Sequence, residues 1–255
     1  MNQLSIITVV KNDLSALKLT RSSIKSLNFP HTWIVIDGGS DPETPQWMKN
    51  ENSVNVTYLR ELDQNLYDAM NKGIKLASGT HLIFINAGDL INKSEKLNRV
   101  VENLHIDEGF LGCIRRVEKR NENQKYIVKP RRLAFFFIKY GITPANHQAT
   151  IYPLSFKRCH PYDTNVGIAA DQISILKLLE NRKVYIDDSL VICDFKNGGI
   201  GDRQNRLAFF KEMFFFRCKN ASMARLTFEL IVLFPVFVLK LAFSVPNRLR
   251  MFRFR

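Results

Sequence analysis

Three short apolar runs, each closed by polar residues, restrict this chain more than any other feature. Leu4-Ser-Ile-Ile-Thr-Val-Val10, Thr32-Trp-Ile-Val-Ile-Asp37 and His81-Leu-Ile-Phe-Ile-Asn86 are near-continuous apolar stretches. Such runs belong to strands covered on both faces, as in a parallel sheet. The segments between them read as helices and one further strand. Asp13 is placed to cap a helix running through Leu27, and another helix is expected around Thr44 to Lys49. Val54 to Leu59 alternates like a strand, and Leu66 to Ala77 reads as a helix with Gly79 at its C′ position. Strands alternating with helices predict an α/β fold: a doubly wound, mostly parallel sheet with helices on both faces. In such sheets ligands bind beyond the carboxyl ends of the strands. That rule singles out Thr8 to Asn12, Asp37 to Asp41, and Asn86 to Asp89.

The second half is organised differently. Ile114 to Arg132 carries 8 basic and 2 acidic residues and reads as a hairpin or mobile loop. Leu133 to Tyr140 is aromatic-rich and expected to be helical. A helix is expected over Asp171 to Leu179, with Ile173, Leu176 and Leu179 as its apolar stripe. Val184 to Phe195 reads as one or two strands, and Asn197 to Gly201 as a loop. With 255 residues, 45% hydrophobic and 24% charged, the chain suffices for one large domain and a small appendage, and wholesale disorder is excluded.

The net charge of +13 is concentrated at one end. Arg203 to Arg255 holds 11 Lys/Arg against 2 Asp/Glu, hence +9, and 11 of the 19 Phe. Basic residues mixed with large aromatics suit an anionic membrane surface, although charge alone also suits nucleic acid. Within Leu226 to Val245 the longest uncharged run is Leu230 to Leu239. That is short of the ~20 apolar residues of a spanning helix, so an interfacial or re-entrant segment is expected, with spanning as the alternative. Cys113, Cys159, Cys193 and Cys218 show no zinc or redox spacing and read as free thiols in a reducing compartment. Leu4 to Val10 is too short for a signal-peptide core and lacks a basic flank, so the α/β part is expected to stay in the cytosol.

Four acidic or polar positions are candidates for chemistry. Asp37 ends a strand, where a carboxylate accepts hydrogen bonds from a nucleobase or ribose; it reads equally as a turn residue. Asp89, in Asn86-Ala-Gly-Asp89, is placed to hold a divalent metal against a diphosphate, or is another turn residue. Asp171 opens a helix, where Asp is ordinarily an N-cap; the alternative is a general base. His147, in Pro144-Ala-Asn-His-Gln-Ala149, carries no such signal by itself.

The joint pattern resembles the family 2 glycosyltransferases of GT-A fold, and among them the bacterial enzymes of colanic acid, capsule and O-antigen assembly. The residues that carry the resemblance are Ser5 to Val10, Trp33-Ile-Val-Ile-Asp-Gly-Gly-Ser40, Tyr67-Asp-Ala-Met-Asn-Lys-Gly-Ile74 and Leu82-Ile-Phe-Ile-Asn-Ala-Gly-Asp89. His147-Gln-Ala149, Ala170-Asp171 and Gly198-Gly-Ile200 follow in the same order. The resemblance implies that Thr8, Val10, Asp37 and Gly38 hold the nucleotide, with Asp68 and Asn71 facing the donor. Asn86, Ala87 and Gly88 belong to the same donor site, and Asp89 falls on the metal-binding carboxylate, for Mg²⁺ or Mn²⁺. Asp171 falls on the catalytic base, and His147 and Gln148 lie on the acceptor side. The chain departs from the family where Asn86 and Gly88 replace acids, where Ala170 replaces a common Glu, and where Asn65 replaces a usual Gly.

The function so implied is inverting, metal-dependent transfer of a sugar from a nucleotide-diphosphate sugar, with UDP as the default, to a lipid-linked glycan in surface polysaccharide synthesis. Residues 1–205 would form the GT-A domain, with 1–100 the nucleotide-sugar half and 101–205 the acceptor half. Residues 206–255 would form a helical, basic-aromatic extension on the inner face of the plasma membrane. A sugar nucleotidyltransferase is the rival, but Val10-Lys-Asn-Asp13 is not the Gly-rich, Arg-bearing loop it needs. An inactive membrane- or nucleic-acid-binding homologue is the other; no nucleic-acid partner is expected. A Rossmann dehydrogenase lacks its Gly-x-Gly-x-x-Gly.

Overall fold

The computed structural model describes residues 3–51, 54–118, 121–130, 146–196 and 206–220, with positions 227, 231 and 235 beyond. The first part alternates as the sequence predicts: β1 (Leu4–Val10), α1 (Leu14–Lys25), β2 (His31–Asp37), α2 (Glu43–Asn50), β3 (Val56–Arg60), α3 (Leu66–Leu76) and β4 (His81–Phe84). Then come β5 (Leu90–Ile91), α4 (Glu95–Asn103), β6 (Gly109–Glu118) and β7 (Asn121–Val128). A 3-10 turn (His147–Ala149) leads into β8 (Thr150–Pro153), α5 (Leu154–Cys159), α6 (Ala170–Asn181), β9 (Val184–Lys196) and α7 (Arg206–Asn220). The sheet order is β3-β2-β1-β4-β8-β6-β9-β5, with β7 on β6.

Strand periodicity explains why helices cover both faces. Successive side chains point to opposite faces. Leu4, Ile6, Trp33, Val35, Ile83 and Ile85 pack with Leu17 and Ile24 of α1 and Met48 of α2. Their neighbours Ile7, Ile34, Ile36, Leu82 and Phe84 pack with Ala69, Met70 and Ile74 of α3 and with Ile175 and Leu178 of α6. Each fully buried Ile or Leu contributes roughly 1.5–3 kcal/mol. Helix α3 lies close enough that a Cβ on Gly73 would come 2.4 Å from Ile7 Cγ2.

The parallel character belongs to β3-β2-β1-β4. Beyond β4 the sheet is mixed: β8 is antiparallel to both β4 and β6, and β5 to β9, while β6 and β9 run parallel. The basic stretch after Ile114 is the β6–β7 hairpin. Late in the chain the expected one or two strands are one bulged strand, β9.

Helix ends follow side-chain chemistry. Asp13 caps α1 by accepting from Ala16 N at 2.9 Å, and the helix closes at Lys25 rather than Leu27. Gly79 is not the C′ residue of α3: Ala77 already leaves the helix in an extended conformation, and Gly79 lies two residues on, at φ +86. There a Cβ would meet Gln3 O at 2.7 Å. The expected helix Leu133–Tyr140, the loop Asn197–Gly201 and nearly all of Leu226–Val245 lie outside the described residues. No described helix is long and apolar enough to cross a membrane.

Candidate active site

The carboxyl end of β2 is closed over. Asp37 is fully buried; Oδ1 accepts from Ser40 N (2.7 Å) and Oδ2 from Tyr58 OH (2.6 Å), with Arg60 Nε 3.9 Å away. Burial, reinforced by this bond to a carboxylate, holds the Tyr58 phenol well above its usual range. Gly38 N donates to Val10 O (3.0 Å), and the Val10 side chain is in the core. A Cβ on Gly38 would sit 2.7 Å from Asp63 Oδ2, so the glycine allows the 61–64 loop to close against the turn. Thr8 is spent inside the sheet. Its hydroxyl donates to Ile85 O (2.7 Å) and accepts from Trp33 Nε1 (2.9 Å), leaving the side chain no free edge for a nucleotide.

Two further expected donor residues also make internal bonds. Asp68 Oδ2 accepts from Gln64 N (3.1 Å) and lies 3.5 Å from Lys72 Nζ, bracing the start of α3 that Asn65 caps. Asn71 clasps the backbone of Tyr162: its Nδ2 donates to Tyr162 O and its Oδ1 accepts from Tyr162 N, both at 2.8 Å. The tyrosine so held packs against Tyr67 and Phe84, 5.1 and 5.5 Å between ring centroids.

The carboxyl end of β4 is different, because here the backbone is pinned and the side chains are not. Thr20 on α1, fully buried, accepts from Gly88 N (2.9 Å) and donates toward Asp89 O (2.9 Å), with Asn86 O at 3.2 Å. Gly88 takes φ +95, the left-handed region that suits glycine, while Ala87 N bonds back to Val9 O. The Asn86 and Asp89 side chains face the 3-10 turn. Asp89 is 5% exposed, and its side chain accepts a long bond from Gln148 Nε2 to Oδ2 (3.4 Å). Burial raises its acid to about 7, with the Gln148 and Asn86 hydrogen bonds opposing. Asn86 Oδ1 is buried without a hydrogen-bond partner among the described residues.

The same 3-10 turn reaches the third acid. His147 Nδ1 lies 3.1 Å from Asp171 Oδ2, and its Nε2 lies 3.4 Å from Asn86 Nδ2. With the proton on Nδ1 the ring donates to Asp171 and accepts from Asn86. The ring also stands edge-on to Phe84, centroids 6.2 Å apart. Asp171 is not the N-cap of α6. Ala169 has that place, and Asp171 sits in the first turn, its Oδ1 accepting from Gln172 N at 2.7 Å. Its side chain stays 24% exposed, so the carboxylate is oriented from inside and open outside. Adjacent residues of one turn thus join Asp89, through Gln148, to Asp171, through His147.

Behind this turn lies a charge-bearing residue with no counterpart in the sequence reading. Lys157 is fully buried, bonded to Ser174 Oγ (2.9 Å), with Nζ 3.4 Å from the Tyr162 ring centroid. Burial, and then repulsion from Lys177, holds its amine well below the usual lysine range, with Asp171 opposing. Thr20 was also missed. Its only sequence signal is a hydroxyl residue on the stripe Leu17, Thr20, Arg21, Ile24 that α1 buries. A cavity of about 670 Å³ walled by Lys96, Arg99, Glu108 and Tyr185 shares no residue with this network.

The model of the family described as "Glycosyl transferase family 2" matches residues 5–159. The chain belongs to that family. An uncharacterised glycosyltransferase of Mycobacterium tuberculosis is 30% identical to this family 2 glycosyltransferase over 217 residues, 82% of this chain and 80% of the relative. A PGL/p-HBAD biosynthesis glycosyltransferase of Mycobacterium bovis is 39% identical over 71 residues, 26% of this chain and 27% of its own. Among solved structures, S. aureus TarS in complex with UDP-GlcNAc superimposes with TM-score 0.69 at 16% identity, over 88% of this chain and 69% of that one. A Pyrobaculum calidifontis mannosyltransferase in complex with GDP-Man and Mn²⁺ gives TM-score 0.63 at 16% identity, over 87% and 65%. At that identity the likeness is one of fold, and the fold of this family 2 glycosyltransferase is GT-A-type.

Proposed function

We propose that this family 2 glycosyltransferase transfers a sugar, with inversion, from a nucleoside diphosphate sugar to a hydroxyl of a lipid-linked glycan. The observation that carries the reading is the hydrogen-bonded link between a buried acid fit for a metal and an open acid fit for a base. Asp171 takes the proton of the acceptor hydroxyl. The oxygen attacks C1 of the sugar, and the C1–O bond to the diphosphate breaks with its electron pair leaving on the diphosphate. His147 orients Asp171 by donating to Oδ2, the base-plus-orienter arrangement of activated hydroxyls. UDP is the default nucleotide, and GDP the next.

The residues present fit Mg²⁺ or Mn²⁺. Asp89 and the partnerless Asn86 Oδ1 are hard oxygen donors in a buried place. When bound, the ion supplies positive charge to the departing diphosphate. No cluster of three His, Cys, Asp or Glu exists among the described residues, so Asp89 and Asn86 would hold the ion together with ligands from outside the protein. On the donor side, a ribose hydroxyl reaches Asp37 by displacing Tyr58 or Arg60 from Oδ2. The basic, Phe-rich residues 206–255 hold the enzyme at an anionic membrane, beside a polyprenyl-diphosphate-linked acceptor.

The test is thermal stabilisation of the purified protein by UDP, GDP, CMP and dTDP, each with and without Mn²⁺. One nucleoside diphosphate should stabilise in a metal-dependent manner, and Asp89→Ala should abolish the shift. No shift with any nucleotide would sink the reading and leave an inactive homologue.

A further inference from the structure

The last described helix touches the machinery in a way the proposed reaction does not use. Phe209, Met213 and Phe216 form one stripe of α7, packed on Ala169, Ile173 and Leu176 around the start of α6. Glu212 lies on the same stripe. Its Oε2 accepts from Ala169 N at 3.0 Å. Ala169 is the N-cap of α6, and no side chain of α6 caps that end. In a capping box the Glu or Gln at N3, here the position of Gln172, answers the N-cap N–H. Here the carboxylate that accepts from Ala169 N comes from another helix, while Asp171 at N2 bonds Gln172 N and His147. The approach is tight: a Cβ on Gly167 would sit 2.5 Å from Glu212 Oε1.

We infer that Glu212 is a positioning residue: α7 fixes the first turn of α6, and with it the direction of the Asp171 carboxylate toward His147. The inference rests on Asp171 as the base. It makes α7 a working part of the catalytic unit, although composition sets the chain apart after residue 205. The opposite side of α7 exposes Phe214 and Phe215 with Lys211 and Lys219, so what binds that side acts on a helix already linked to the base.

The experiment compares Glu212→Ala and Glu212→Gln with wild type in the full chain. It reads the ¹⁵N imidazole signals of His147 (assigned by their loss in His147→Gln), stabilisation by UDP and GDP, and donor hydrolysis with UDP-GlcNAc and GDP-mannose. In Glu212→Ala the Nδ1–H signature of His147 should be lost and kcat should fall about tenfold or more. KM should stay within about twofold and nucleotide stabilisation should be kept. Glu212→Gln retains an acceptor oxygen and should restore the signature and most of the rate. An unchanged His147 spectrum or an unchanged kcat in Glu212→Ala overturns the inference. So does a parallel loss of nucleotide stabilisation, which marks a merely structural residue. If wild type itself turns over neither donor, the reading of Asp171 fails, and the His147 spectrum still decides whether Glu212 orients that acid.

Discussion

Asp37 is the last residue of β2, Asp89 lies five residues beyond the end of β4, and both are buried. Their surroundings are opposite. Asp37 has Ser40 N, Tyr58 OH and the Arg60 guanidinium around its two oxygens. Asp89 has a 3.4 Å bond from Gln148 and a backbone hydrogen bond at Asn86, too little to offset its burial, and Asn86 Oδ1 has no partner among the described residues. A buried carboxylate that its own fold satisfies is stable without a ligand. One left under-solvated is stable as an anion when a cation arrives, and carries a raised pKa until then. In the free protein one acid is satisfied by folding, and the other is left short of partners.

The largest effect expected from this contrast is at the open end. Asp171→Asn keeps the size of the side chain and removes the proposed base. The expected loss is about a thousandfold in kcat, with nucleotide-induced stabilisation intact. Steady-state transfer alongside nucleotide thermal shifts checks it. A rate within tenfold of wild type would return Asp171 to being an ordinary first-turn acid.

The contrast itself is broken or upheld by stability. Asp89 titrates near 7 in the folded, metal-free protein, against ~3.9 unfolded. The folded state therefore holds the extra proton between those values. Its contribution is fully present below about pH 4 and lost as pH rises through 7. At pH 8 the bare anion costs on the order of a few kcal/mol, so Asp89→Asn in EDTA should raise Tm at pH 8 and leave it nearly unchanged at pH 4. Asp37→Asn should do the reverse. Its NH2 faces Tyr58 and Arg60, and Tm should fall by roughly 5–10 °C. Melting curves of both variants across pH suffice. Opposite signs sustain the comparison, and equal signs end it.

What the sequence discloses about these two ends follows the range of the interactions. Strand runs, the Asp13 cap and the acids past β2 and β4 are local patterns, written within a few residues. The mixed half beyond β4 is not, because the β8 and β9 pairings join segments whose spacing carries no register. The same limit hides what Asn71 does. In sequence it belongs to a donor-facing helix, whereas its amide closes on a backbone 91 residues away. Nothing local marks Lys157, because only the meeting of α5, α6 and three aromatic rings buries it. His147 and Gln148 were legible by resemblance alone, since a lone histidine in a loop has no periodicity to interpret.

The smallest expected effect tests whether the open end depends on a pinned backbone. Thr20 gives its hydroxyl to the Asn86–Asp89 turn from below and faces no substrate. Thr20→Val preserves shape in the stripe of α1 and removes those bonds, leaving Gly88 N with Ala16 O at 3.2 Å as its remaining partner. Leaving the buried Asp89 carbonyl without its donor costs about 1–2 kcal/mol. If the turn shifts with it, kcat should drop about tenfold and the Mn²⁺ concentration for half-maximal rate should rise, since Asp89 moves with its own backbone. Thr20→Ser, which keeps the oxygen, should recover both. A stability loss without any change in metal response would mean that the Asp89 side chain is held by Gln148 rather than by its turn, and that the two ends of the sheet differ only in their side chains.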